Sequence, residues 1–182
     1  MAFTTTAKVQ LLLNKTTLSA NETALVNALI PMVDGVIKNY CGWEILAKDY
    51  VAKKYSGNGT STLDLRVFPI NSLTSLLVGT TNQTTAVSIN AEDGELYFAA
   101  GTTFTEGTLN ITATFNAGYT VTPDDLNYAA TWLVIENFKR VTEETIGIES
   151  QKFNDIEVKY TSTDIPVMVK HTLDKYRYIG VY

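Results

Sequence analysis

The residues able to do chemistry are few, and their spacing does not suit it. His171 is the only histidine, and its neighbours Lys170 and Asp174 are what a solvated helix face carries. A general acid or base needs a group to orient it and a metal needs several ligands, and nothing near His171 supplies either. Cys41 has no histidine or second cysteine near it in sequence and reads as a small buried thiol beside Tyr40 and Trp43. Asp124 with Asp125 and Glu143 with Glu144 are adjacent pairs, and helix neighbours point about 100° apart, so neither pair shares a proton as a dyad would. They read as a match to a helix dipole and as a solvated face. Glu92-Asp93-Gly94 lacks the ligand spacing of a calcium loop. Gly57-Asn58-Gly59 opens a strand and has no Lys-Ser/Thr after it, so it is no phosphate cradle. The sequence assigns no catalytic residue, no metal site and no cofactor.

Composition narrows the partners. The 182 residues, 45% hydrophobic and 18% charged, fit one globular domain with a real core. A formal net charge of −5 argues against attraction to nucleic acid or anionic membranes, which require a basic surface. The single cysteine gives no sign of an oxidising compartment. The start MAFTTTAKVQLLLNKTT lacks the pattern of a signal peptide, and no apolar run is long enough to span a bilayer. Asn-x-Thr triplets at Asn14, Asn21, Asn58, Asn82 and Asn110 are then chance in a Thr-rich chain.

The elements are arranged around residues 118–147. Thr122 is expected to cap a helix, Pro123 to occupy its first position, and Asp124 and Asp125 to favour its positive end. Leu126, Ala129, Ala130, Leu133, Val134, Phe138 and Val141 recur at three- and four-residue steps, interrupted by Asn137, and face a core. Tyr128, Trp132 and Ile135 form a second run on another side. That run is either buried within one domain or meets another copy of the chain, since Trp and Tyr are enriched in interface cores.

Earlier in the chain, a threonine of Thr4–Thr6 caps a short helix carrying Val9, Leu12 and Leu13, with Asn14 as its stop. Ser19 and Glu22 have the spacing of a capping box, and Ala24, Leu25, Ala28, Leu29, Met32, Val36 and Ile37 mark the apolar face of a helix to about Tyr40, kinked at Pro31. Residues 48–118 change to strand patterning. Tyr50–Tyr55 and Ser61–Val67 flank Asn58-Gly59, a hairpin signal. Leu73–Val78 is the next strand, and Val87–Ile89 pairs with Glu95–Phe98 across Glu92-Asp93-Gly94. Leu109, Ile111, Ala113 and Phe115 alternate with polar residues. After Gly147 come a strand at Phe153–Tyr160 and a short helix through Val169, Leu173 and Tyr176. The tail YRYIGVY is apolar enough to be covered, by its own domain or by a partner.

The fold class is therefore α+β: a helical bundle with an inserted antiparallel β region and a C-terminal arm. As a single domain it divides into N-terminal helices (1–47), the β region (48–118), the long core helix (119–149) and the arm (150–182).

The helix end Tyr40-Cys41-Gly42, the run Gly57 and Gly59 before Leu63, Leu65 and Pro69, and Gly118-Tyr119 leading to Pro123 resemble the head-to-tail connector (adaptor) family of tailed double-stranded DNA bacteriophages. The resemblance implies a virion protein made in the host cytoplasm and placed at the head-tail junction, without enzymatic activity. It implies a homo-oligomeric ring of about twelve copies, joined by heterologous contacts that close under cyclic symmetry. The ring would lie beneath the portal protein, contact the next neck or tail protein, and let DNA pass without specific binding, with no membrane involved. Tyr128, Trp132 and Ile135 would then form the subunit interface. The arm Val169, Leu173, Tyr176, Tyr178, Ile179 and Tyr182 would dock on the portal, so removing residues 164–182 would leave the fold intact. The alternative is a β-rich carbohydrate- or protein-binding module on a helical support, which would show an exposed aromatic platform.

Overall fold

The computed structural model describes residues 2–143, 150–153, 156–159 and 165–177. It divides into two compact units, one built from residues up to Cys41 and from Thr122 to Arg177, the other from Gly42–Val121.

In the helical unit, α1 (Thr6–Leu12) is capped by Thr5, whose hydroxyl accepts from the Lys8 N–H, and the chain leaves it through Asn14 at φ 54°. The capping box of α2 (Ala20–Cys41) forms as expected: Glu22 accepts from the Ser19 N–H at 2.8 Å, and Ser19 Oγ accepts from the Glu22 N–H at 3.3 Å. The helix continues through Pro31. Its buried face is rotated from the expected one and consists of Val26, Leu29, Ile30, Val33, Asp34, Ile37 and Cys41. Both sides of α2 are rich in apolar residues, so periodicity alone does not choose between them.

The long helix α3 (Asp124–Thr142) buries Leu126, Ala129, Ala130, Leu133, Val134, Ile135 and Phe138. Its cap differs from expectation. Pro123, with ψ 143°, is the N-cap and makes no side-chain cap bond; the first-turn donor that does find a side chain is the Leu126 N–H, taken by Asp125 at 2.8 Å and not by Thr122. The residues before α1 tie α2 to α3. The Phe3 N–H donates to Asp34 Oδ1 at 3.1 Å, the Phe3 carbonyl accepts from Asn127 Nδ2, and the Phe3 side chain is fully buried. Thr131 gives its hydroxyl proton to the Asn127 carbonyl, which leaves Thr4 to donate to Thr131 Oγ1 at 2.6 Å.

The final described helix, α4 (Val167–Asp174), packs into the same unit. Val169, Leu173 and Tyr176 are buried, the Tyr176 hydroxyl donates to Asp125, and the Tyr40 hydroxyl donates to Asp174 at 2.5 Å. These three apolar residues are thus core, not a free arm, because α4 lies against α2 and α3. Tyr178, Ile179 and Tyr182 lie outside the described residues.

The β unit holds two antiparallel sheets. The first has the order β1 (Lys48–Gly57), β7 (Gly107–Ala117), β3 (Ile70–Val78), β4 (Thr81–Asn82); the second has β2 (Thr62–Asp64), β6 (Glu95–Phe98), β5 (Val87–Asn90). The expected pairing of β5 with β6 forms, Ser88 opposite Tyr97 and Ile89 opposite Leu96. The expected hairpin at Asn58-Gly59 does not, since β1 pairs with β7 and β2 with β6. The turn instead passes the chain between sheets, with Asn58 Oδ1 accepting from Thr60 and the Gly59 N–H donating to the Phe104 carbonyl at 2.9 Å. Ile111, Ala113, Phe115 and Ala117 of β7 are buried, whereas Leu109, at φ 52°, is exposed. Gly118 needs its glycine: it has φ +108°, and a Cβ there would come within 2.7 Å of the Leu46 backbone.

Among the described residues β1 is an outer strand. A register shift between Tyr50 and Lys53, with Ala52 at φ 50°, puts Lys48, Tyr50, Lys53 and Tyr55 along one side. The Lys53 ammonium lies 5.0 Å from the Tyr50 ring centre and 5.3 Å from that of Tyr55. Tyr50 stacks on Phe115 at 4.9 Å. The remaining described strands, β8 (Ser150–Phe153) and β9 (Ile156–Lys159), pair with each other where a single strand is expected from the sequence.

Three outcomes follow for this fold. The ammonium of Lys15, then the Ser19 N–H and hydroxyl, hold the Glu22 carboxyl down from 4.5 to about 2. Its folded pKa is depressed, so its contribution to stability is complete above the unfolded value and is lost as pH falls towards 2. An NMR titration should place the Glu22 midpoint near 2; a midpoint at the free-carboxylate value would show that the box does not form. Leu173→Ala should cost about 2–5 kcal/mol in chemical denaturation, as for other buried leucines, and an unchanged midpoint would show that α4 is dispensable to the core. Removing residues 164–182 should destabilise the chain for the same reason.

Candidate assembly surfaces

The groups surveyed for chemistry have structural settings. His171 is exposed, and Cys41 is buried with its thiol pushed up to about 11 by desolvation, which keeps it protonated and unreactive at neutral pH. Its Sγ is 3.7 Å from the Leu173 carbonyl. Asp125 accepts from Tyr176 and from the Leu126 N–H and lies 3.6 Å from the Lys175 ammonium. Burial would raise its pKa, but these contacts outweigh it and hold the carboxyl below the usual range. Asp93 accepts from Asn90 at 2.6 Å within its turn. Among the described residues no group of three or more His, Cys, Asp or Glu could hold a metal ion. Glu144 lies outside the described residues.

What the helical unit offers is surface. At about 100° per residue, the buried arc of α3 leaves one outward face, with Trp132 in its middle and Tyr128 about 40° to one side. Tyr128 and Trp132 are 48% and 38% exposed, with ring centres 6.3 Å apart. Ile135, at the border of that arc, is buried within the chain. The second run therefore splits into two outward aromatics and one core residue. Asp125, Glu136 and Lys139 flank the aromatics, and Glu136 pairs with Arg140 at 3.0 Å.

The outward face of α2 escaped the sequence reading because its residues were assigned to the core. Ala24, Ala28, Met32 and Val36 are exposed, Met32 at 65%. An apolar stripe on the exposed side of a helix is visible in the sequence, but the inner stripe is as apolar except for Asp34. The pattern thus does not choose between the two faces. Asp34 is tolerated inside because it receives the Phe3 N–H.

The β unit has a different character. All the cations between Gly42 and Val121 are Lys48, Lys53, Lys54 and Arg66, on β1 or just after β2. Burial, then Arg66, pushes the Lys53 ammonium below its ordinary pKa. Among the described residues no aromatic side chain of this unit is exposed.

Comparison with known proteins gives one family. The model of the head completion protein family matches residues 3–179. No curated protein matches. Among solved structures, a chain in the neck of a native gene transfer agent particle, computed with C12 symmetry, is similar at TM-score 0.53 and 14% identity over 97% of this chain and 89% of that one. A chain in the neck of the empty particle, computed with C6 symmetry, gives 0.54 and 15% over 97% and 90%. One in the virion of the native particle gives 0.53 and 14% over the same shares. At such identity these likenesses bear on the fold.

The split of the aromatic run is open to measurement. Trp132→Asp should keep the far-ultraviolet circular dichroism of the parent and cost about 1 kcal/mol, the scale of a surface change plus a lost aromatic pair. Ile135→Asp, which buries a charge without a partner, should cost more than about 3 kcal/mol. Equal losses would place both residues in the same environment.

Proposed function

Because the chain belongs to the head completion protein family, we propose that it is a structural component of a virion neck, at the head-tail junction. The observation that carries this reading is the family match over residues 3–179. The finer picture is a ring of about twelve copies beneath the portal protein, continuous with the next neck or tail protein and open to passing DNA. The C12 symmetry with which the native gene transfer agent neck was computed supports it. So do the exposed aromatics and aliphatics on the helices, Tyr128, Trp132, Met32 and Val36 among them. An acidic chain suits a conduit, since a basic lining would retain phosphates.

In this reading Tyr128 and Trp132 meet the neighbouring copy, with Ile135 supporting them from within. Portal docking falls to Tyr178, Ile179 and Tyr182 at the end of the chain, since Val169, Leu173 and Tyr176 are committed to the helical unit. A carbohydrate-binding module would present an aromatic platform on the β unit, and the aromatics there are buried or half-buried.

Electron microscopy of the purified chain, alone and mixed with its portal, tests the proposal. Closed rings coaxial with the portal are expected. Single subunits scattered on the portal, or no association at all, would reject the ring. A chain ending at Arg177 should fold like the parent and lose portal attachment, whereas undiminished attachment would remove the tail from the docking surface.

A further inference from the structure

The outward side of α2 lacks what water normally demands of a helix. Its 22 residues include three charged ones, Glu22, Asp34 and Lys38, and none of them is exposed. What α2 exposes besides asparagines is Ala20, Ala24, Ala28, Pro31, Met32 and Val36. A solvated helix face is ordinarily rich in charge, and interface cores are depleted of it.

We infer that this face of α2 receives Tyr128 and Trp132 of a second copy of the chain. The inference rests on the ring reading and assigns its second, complementary surface. Three features point to that occupant. First, Ala24, Ala28 and Met32 follow one another at four-residue steps, as do Tyr128 and Trp132, so both faces present the same kind of ridge and can interdigitate. Second, the textures match. Alanines at 24 and 28 leave room for large rings to approach the helix backbone, and the flexible Met32 thioether packs well against aromatic edges.

Third, the directions fit. Ala28 stands about 200° around α2 from Val26, and Tyr128 stands about 200° around α3 from Leu126; Val26 and Leu126 are both fully buried. Each of the two therefore lies on the side of its own helix turned from a fully buried residue. A two-fold contact of either face with itself would use one face twice. Two different faces on two helices are what a head-to-tail contact uses, and such contacts close into rings.

Cross-linking two variants tests the assignment. Met32→Cys and Trp132→Cys chains are each purified, mixed and treated with a short bismaleimide, with Cys41 buried and its thiol held protonated in both. The mixture should give linked heterodimers well above the dimers formed by either variant alone. Trp132→Cys linking mainly to itself would show a symmetric α3 contact and overturn the inference. Absence of linkage while the variants still form rings would overturn it and leave the ring reading standing.

As a second arm, Met32→Asp and Ala28→Lys, both at exposed positions, should retain parental circular dichroism and stop ring closure. Rings that close normally in both reject the α2 face. A parent chain that forms no ring with or without its portal rejects the ring reading and this inference together.

Discussion

The helical unit depends on a clasp formed by residues that precede its first helix. Phe3 offers its amide to Asp34 of α2 and its carbonyl to Asn127 of α3, while Thr4 donates to Thr131 one turn further on. The sequence separations are 31, 124 and 127 residues, and the two longer contacts join parts of the chain that the whole β unit keeps apart in sequence. A buried polar group left without a partner costs about 1–3 kcal/mol. Asp34, Thr4 and Thr131 are all buried. The clasp therefore makes a polar centre tolerable between α2 and α3 and fixes one rotation of each helix about its axis. Once that rotation is set, Met32, Val36, Tyr128 and Trp132 have no place in the core.

Local signals were legible and non-local ones were not. The Ser19-Glu22 box, the β5–β6 turn at Glu92-Asp93-Gly94 and the alternation of Ile111, Ala113 and Phe115 are decided within a few residues, and each appears where the sequence puts it. Asn58-Gly59 does turn the chain, but which strand β1 pairs with is settled by β7, some fifty residues away. Thr122 has a capping side chain, yet Pro123 takes the cap position because its extended ψ already supplies the entry to α3. The rotation of α2 depends on Phe3, and no periodicity within α2 encodes it.

The same division holds for the surfaces. Tyr128 and Trp132 stand out as a second run on α3 because a solvent-facing side should be polar, and they are exposed. Ile135 shares their spacing and lies within about 20° of Tyr128 around the helix, yet it is buried, so azimuth alone does not separate the two. The apolar character of Val169, Leu173 and Tyr176 correctly signals that something covers them. Hydropathy does not say what, and the cover is the helical unit itself, reached through Tyr40, Cys41 and Asp125.

The proposed ring requires each copy to refuse the wrong joints as well. An outer β-strand offers a row of unused amide and carbonyl groups, and two such rows from different copies would zip into an open-ended fibre. Strand β1 spoils that template in two ways. The bulge at Ala52 interrupts the regular spacing of its backbone groups, and Lys48, Lys53 and Lys54 bring like charges together whenever two such strands approach. In the proposed ring, β1 would then leave the choice of partner to the helices.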